Sequence, residues 1–279
     1  MSRILLAIAG VWLLVAPASA QQSPAIPNFW DPQERFVKPN VKDMPRLRFL
    51  TTTDFPPFSY IDTDKRLIGF HVDLARAICS ELEVSPVCQI QAFPFADLES
   101  RLNDKAGEAI MAGQSVSLEN RQKFSFTRPY FFLPARFVAK KTSGLTEPLI
   151  EQLAGKPVAI VDGTRHAAMA MAKFGDLRLQ IYDSQDSALA ALKKDEVAAV
   201  FGDGLSLSFW LQSNSESGSC CQYVGGPYLS GTYLGRGLTI AVAKDNRQLQ
   251  DAINFALRSL NDRGTFAELY LRYFPIGLF

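Results

Sequence analysis

Charge imbalance is nearly absent from this sequence: 29 Lys and Arg stand against 28 Asp and Glu, a formal net charge of +1. Such a chain has no broad field with which to gather nucleic acid or another strongly charged partner, so any preference for charge must be local. Cysteine is scarce, with four residues, and no histidine lies near Cys79 and Cys88 or near Cys220 and Cys221, which argues against a metal centre. After residue 20 no apolar run approaches roughly 18 residues, which excludes stable membrane insertion of the remainder. Long Gly/Ser linkers are missing, as is any repeat of about 20–50 residues. No G-x-S-x-G, H-E-x-x-H or Walker loop occurs, and no cofactor is implied.

What is present begins with an export signal. In "MSRILLAIAGVWLLVAPASA", Arg3 precedes an apolar run from Ile4 to Ala16, and a small-residue "ASA" ends at Ala20. This pattern predicts a signal peptide over 1–20, cleaved before Gln21. No Cys follows the apolar run, so a lipid anchor is not expected. An exported chain meets an oxidising compartment. Cys79 falls near the end of a helical pattern and Cys88 opens the next apolar run, so a bridge between them would close a short loop, worth about 2–3 kcal/mol. The adjacent Cys220 and Cys221 either form a vicinal disulfide or stay reduced.

Residues 21–45 carry five prolines and no steady period, which predicts an extended arm docked by Phe29 and Trp30. Beyond it, short apolar runs alternate with helical patterns. "RLRFLTT", "QIQAF" and "EAIMAG" read as strands, and "DLARAICSEL" and "ADLESRL" as helices. From about Lys156 the alternation restarts with "KPVAIVDG", a helix from about Arg165 to Phe174, "LQIYD", "SQDSALAALKKD" and "VAAVFGD". "GLTIAVAKD" is a late strand and "RQLQDAINFALRSLNDRG" a long amphipathic helix. The class is α/β in two cycles.

Five segments in order resemble one family. "FPPFSYIDTDKRLIGFHVDLARAI", "EAIMAGQSVSLENRQKFSFTRPYF", "LAGKPVAIVDGT", "SALAALKKDEVAAVFGD" and "LNDRGTFAELYLRYF" are similar to segments of family 3 periplasmic solute-binding proteins, the polar amino-acid receptors of ABC importers. The resemblance covers about 46–275. It implies a two-lobed periplasmic binding protein fold (type II), each lobe an α/β sandwich, with a ligand cleft between them and two crossover strands. Lobe 1 would take 46–137 with 241–279 and lobe 2 would take 138–240. The crossovers would fall in "LPARFVAKK" and "GLTIAVAKD", leaving a hinge as the soft coordinate.

The same resemblance nominates site residues. Phe55 and Phe95 stand where similar receptors place rings against the ligand. Asp203, ending "VAAVFGD", matches the carboxylate that accepts from a ligand α-amino group; it could equally cap the next helix. Gly113 and Ser115 lie on the loop of lobe 1 that faces ligand, with Gln114 between them, and Thr164 offers a hydroxyl and an amide to an anion. The family pattern Ser-Ile-Thr-Pro-Glu-Arg clamps the ligand carboxylate with its arginine. Laid on "SVSLENRQKFSFTRPY" without gaps, it puts Asn120 at that position and Arg121 one step later, a rotation of about 100° on a helical turn. Arg165 offers a different anchor, because it follows Gly163 and Thr164 at a helix start, where similar receptors carry a small hydroxyl residue and where amides already favour anions. An enclosed carboxylate with no charged partner would lose several kcal/mol, so an amino-acid ligand requires Arg121 or Arg165 in the cleft. The ungapped register favours Arg165. His71, at a helix start beside Asp73, reads as structural. His166 reads equally as a ligand contact or a surface histidine.

The function implied is a monomeric periplasmic protein that captures an amino acid or related small carboxylate by lobe closure and delivers it to an ABC permease. Two other classes share the pattern. One is a transporter-independent sensor or accessory protein, suggested by the arm and the altered arginine register. The other is an enzyme resembling cyclohexadienyl dehydratases, for which His166 is the one obvious histidine in reach of the cleft.

Overall fold

Alternation decides both lobes. The computed structural model describes residues 26–279 except 32, 42, 115 and 275. The signal peptide expected at 1–20 and Ser115 therefore lie outside the described residues. The first lobe opens with β1 (Leu47–Thr51), a three-stranded flap of β2 (Asp54–Phe55), β3 (Ser59–Ile61) and β4 (Leu67–Ile68), and α1 (Phe70–Glu81). It continues through β5 (Cys88–Ala92), α2 (Leu98–Asn103), β6 (Ala109–Ile110), α3 (Leu118–Lys123) and β7 (Phe124–Phe126). The second lobe runs β8 (Ala135–Lys140), α4 (Leu149–Leu153), β9 (Pro157–Val161), α5 (Arg165–Lys173), β10 (Arg178–Tyr182), α6 (Gln185–Lys193), β11 (Ala199–Asp203), α7 (Gly204–Gln212), α8 (Asn214–Ser217) and β12 (Cys221–Tyr228). The chain then returns with β13 (Ala241–Ala243), α9 (Arg247–Asp262) and α10 (Thr265–Tyr273).

Each lobe holds a five-stranded sheet, in the orders β5-β1-β6-β13-β7 and β10-β9-β11-β8-β12. In each, three strands pair in parallel and the other two add by antiparallel pairing, so that only β13 in the first sheet and β8 in the second run against the rest. Parallel strands must be covered on both faces, and the period of two along a strand sends successive side chains to opposite faces. Leu47 and Phe49 of β1 accordingly pack with α1, α9 and α10, while Leu50 packs with Leu98, Leu102 and Phe124 on the other face. In the second lobe Phe137, Ile160 and Phe201 meet α5, whereas Val138, Ala159 and Val200 meet α6 and α7. In α9, Leu249, Ala252, Ile253, Ala256, Leu257 and Leu260 form one buried stripe at helical spacing. Each such large apolar side chain contributes about 1.5–3 kcal/mol.

The late strand expected in "GLTIAVAKD" keeps only Ala241–Ala243 in the sheet, because 237–240 belong to the crossover instead. The two crossovers, 127–134 and 229–240, run side by side. The Tyr130 amide donates to Leu238 O at 3.0 Å, the Leu238 amide to Phe131 O at 2.6 Å and the Thr127 amide to Ile240 O at 2.9 Å. Gly237 makes this approach possible: at φ +89° a Cβ there would stand 2.8 Å from Pro129 Cβ and 2.9 Å from Phe131 O. A third link is non-covalent. Buried Arg136 of β8 donates to Leu278 O at 2.8 Å and Gly225 O at 3.1 Å and lies over the Tyr223 ring.

The arm from residue 26 has no helix or strand. Trp30 and Val41 enter the first lobe's core, Phe29 packs on Phe132 and Phe279, and Glu34 pairs with Arg128 of the first crossover at 2.5 Å. Cys79 and Cys88 are bonded, tying the end of α1 to β5, and Cys220 and Cys221 form a vicinal disulfide at the start of β12.

His71 is buried in α1, with Nε2 2.7 Å from the Tyr130 hydroxyl and rings of Phe55, Phe58 and Phe70 around it. Burial pushes its pKa down to about 3. The unfolded imidazole, near 6.5, takes up a proton that the buried one refuses, so its stability contribution is complete above about pH 6.5 and is lost as pH falls toward 3. Between pH 6.5 and 4.5 this site alone costs about 2–3 kcal/mol. Thermal melts across that window are expected to fall steeply for the natural chain and less steeply for His71→Gln, since His166 shifts in the same direction and keeps part of the slope. Superimposable pH profiles for the two proteins would place the acid sensitivity elsewhere.

Candidate functional site

The carboxyl ends of the parallel strands point at one another across the crossovers, the usual position for a ligand in open α/β sheets. From the first lobe, β6 leads into Met111, Ala112, Gly113 and Gln114. From the second, β9 leads through Asp162 and Gly163 into α5, and β11 ends on Asp203. A cavity of about 520 Å³ lies between them, with Gly113, Gln114 and Ser117 on one wall and Arg165 and Ala168 on the other. Its floor is the returning crossover from Gly231 to Leu238, with Leu133 of the outgoing one.

Gly113 sits at φ +74°, and a Cβ there would stand 3.1 Å from the Phe55 ring. Phe55 therefore lies one layer behind the cavity wall, stacked on Phe58 at 4.7 Å. Gln114 is nearly fully buried and reaches the cavity. Thr164 caps α5, its hydroxyl accepting from the Ala167 amide at 3.0 Å and donating to Val161 O at 2.8 Å, so the hydroxyl is committed to the helix start. Arg165 follows as the first helical residue, exposed to the cavity; among the described residues nothing pairs with it by hydrogen bond or salt bridge.

Asp203 caps α7, accepting from the Leu205 amide at 3.1 Å and from the Ser206 hydroxyl at 2.9 Å. Both roles read from the sequence are compatible, because a carboxylate offers about four acceptor positions and the cap uses two. His166 lies in the fields of Asp203 and Arg165. Burial first, and Arg165 after it, hold its imidazole below the usual range, with Asp203 opposing them.

Phe55, Thr164 and Asp203 are not in the cavity lining itself, and two further expected residues, Phe95 and Arg121, also lie outside it. Phe95 is half-exposed on the turn before α2 and does not line the cavity. Arg121 lies on α3, where Ser117 caps the helix by accepting from the Asn120 amide at 3.0 Å. That cap fixes the helical register without a bulge, and Arg121 lines a separate flank cavity of about 830 Å³ with Arg128, Lys244 and Asp251. One residue that sequence reasoning missed does line the cleft: Arg236, in the returning crossover. Its signal was faint, a single arginine between Gly235 and Gly237 in a segment with no periodicity.

Two α/β lobes joined by paired crossovers around a cavity define a two-lobed binding protein. The chain belongs to the bacterial extracellular solute-binding proteins, family 3, whose family model matches residues 47–276. It is 30% identical over 230 residues to ABC transporter arginine-binding protein 1 of Escherichia coli (strain K12), covering 82% of this chain and 91% of that protein. An arginine-specific periplasmic binding protein of Salmonella typhimurium aligns at 30% identity and TM-score 0.50, covering 82% of this chain and 99% of that one. The unliganded, open L-cystine receptor of Neisseria gonorrhoeae has the same fold at 21% identity and TM-score 0.70, covering 84% and 94%. Among the described residues no helix is long and apolar enough to cross a membrane, and no group of His, Cys, Asp or Glu could hold a metal ion.

Gly113→Ala tests the wall directly. A side chain in the left-handed region costs about 1–2 kcal/mol and must also displace the Phe55 ring. The variant is expected to melt a few degrees lower, and a melting temperature within error of the natural protein would show that the loop relaxes freely.

Proposed function

We propose that this protein captures an amino acid in the cleft by closing one lobe over the other, in the periplasm, and presents it to an ABC importer. The observation that carries this reading is the unpaired Arg165 at the start of α5, facing the cavity within the electrostatic reach of His166 and Asp203. An amino acid brings a carboxylate and an ammonium group; the cavity wall offers a guanidinium with helix amides for the first, and Asp203, beside His166 and outside the lining, offers a carboxylate for the second. Micromolar affinity amounts to about 8 kcal/mol, and enclosing an unpaired ion costs several kcal/mol, so these two charges take a large share in deciding whether binding occurs. Relatives named as arginine-binding proteins of an ABC transporter support the amino-acid class and the importer partnership. The apolar segment at 4–16 supports export, and the relatives are binding proteins, which supports a non-catalytic role.

In this reading Arg165 takes the carboxylate, Asp203 the ammonium, and Gly113 and Gln114 the ligand's other face, with Phe55 behind them. The crossovers form the hinge. Phe95 would join the site only on closure, and Ser115 lies outside the described residues.

Calorimetry on the refolded, ligand-stripped mature protein with a panel of the twenty amino acids should find at least one ligand. Arg165→Ala should abolish that binding. Asp203→Asn, which keeps one acceptor oxygen for the Leu205 amide and can donate to the Ser206 hydroxyl but loses the charge, should weaken it about 10–100-fold with a small change in melting temperature. Undiminished affinity in both variants would remove the proposed clamp.

A further inference from the structure

The cavity's charges say more than that an amino acid fits. Two guanidinium-bearing side chains line it, Arg165 from the second lobe and Arg236 from the returning crossover, and no acidic residue does. Neither has a hydrogen-bond or salt-bridge partner among the described residues. Several arginines elsewhere are neutralised locally, with Arg46 and Arg48 on Glu108, Arg66 on Asp62, Arg128 on Glu34 and Arg258 on Asp262, while Arg121, Arg178 and Arg247 have no ion pair among the described residues; what sets Arg165 and Arg236 apart is that they share one cavity. The flank cavity also touches Arg236 and holds Glu34 and Asp251, but Glu34 is occupied by Arg128 and no ion pair joins Arg236 to Asp251. The second-lobe carboxylate Asp203 is partly engaged by its helix cap and stands by His166 rather than in the cavity lining.

We infer that the cleft's ligand carries two acidic groups, as a dicarboxylic amino acid does, one held by Arg165 and the second by Arg236, with Asp203 left for the ammonium group. This deepens the amino-acid reading above and rests on it. Two like charges facing one cavity repel each other until an anion enters, and closure strengthens the attraction by excluding water. A single carboxylate satisfies one of them. A second carboxylate satisfies the other, and a guanidinium or imidazolium on the ligand would add a third positive charge to an uncompensated pair. The wall therefore disfavours the cationic side chains for which the similar proteins are named. A fork held on a crossover also suits a ligand side chain, because the floor remains in place while the lobes move.

The test is calorimetry on the whole mature protein with L-glutamate, L-aspartate, L-glutamine and L-arginine, at low and at physiological ionic strength, on natural and Arg236→Gln chains. The expected result is binding of L-glutamate or L-aspartate at least tenfold tighter than of L-arginine. Arg236→Gln should weaken the acidic ligand at least tenfold while changing L-glutamine less than threefold. A tighter affinity for L-arginine than for either acidic ligand would overturn the inference while leaving the amino-acid reading intact. So would an unchanged glutamate-to-glutamine ratio in Arg236→Gln. No heat from any of the four, repeated across the remaining amino acids, would overturn the amino-acid reading itself and this inference with it.

Discussion

Everything about the cleft depends on the hydrogen-bonded pairing of two crossovers. A cavity between lobes has a defined shape only if the lobes are held in register, and here the register comes from a short antiparallel pairing of 127–131 with 237–240. Three amide-to-carbonyl bonds, each a modest net contribution of about 1 kcal/mol in isolation, fix the geometry because they extend the β7–β13 ladder of the first-lobe sheet along two segments whose other ends enter the second lobe. Gly237 is the steric condition for the pairing. It serves the site as well, since the strand it keeps close to its partner is the floor that carries Arg236.

The architecture was legible in the sequence because burial on both faces of a parallel strand leaves an apolar run, and the helices between carry their own period. "KPVAIVDG", "LQIYD" and "VAAVFGD" became β9, β10 and β11 almost to the residue. What stayed hidden had no such signature. The flap strands β2 to β4 are two or three residues long, too short to show a period. β12 is broken by a register shift between Val224 and Tyr228, around Gly225, Gly226 and Pro227, so its pattern reads as a turn. The crossovers, which matter most to the site, look like loops with apolar side chains because their hydrogen bonds are made to each other rather than to a sheet.

The arginine question has the same physical form. Local sequence could say that Asn120 stands in the register of the family's clamp and Arg121 one step beyond it. It could not say whether the backbone would bulge to compensate. The deciding contact is the Ser117 side chain on the Asn120 amide, a cap that starts α3 as an ordinary helix and sends Arg121 toward the flank. Arg165 needed no such decision. Thr164 caps α5 whatever the ligand, and the first helical residue after a cap necessarily lies beside free amides. The position of an arginine was readable where a helix start fixed it and unreadable where a turn had to choose.

Arg136 shows how a rigid floor and a moving lobe can coexist. A buried guanidinium is ordinarily matched by a carboxylate, yet this one is held by two carbonyl oxygens and a ring face, with burial pushing its pKa down and the neighbouring tyrosines opposing it. One carbonyl belongs to Leu278, whose own amide donates to Tyr270 in the first lobe, and the other to Gly225 in the second. A carboxylate in either lobe would give one strong, short-range attachment and lock the pivot to that side. Shared carbonyl dipoles give several weaker attachments near the axis, where rotation displaces atoms least. Contacts across the cavity mouth gain or lose the whole width of the cleft in the same motion. In the proposed reading a ligand that bridges Arg165 and Arg236 ties the second lobe to the crossover floor, while the buried arginine links the two lobes through its own hydrogen bonds.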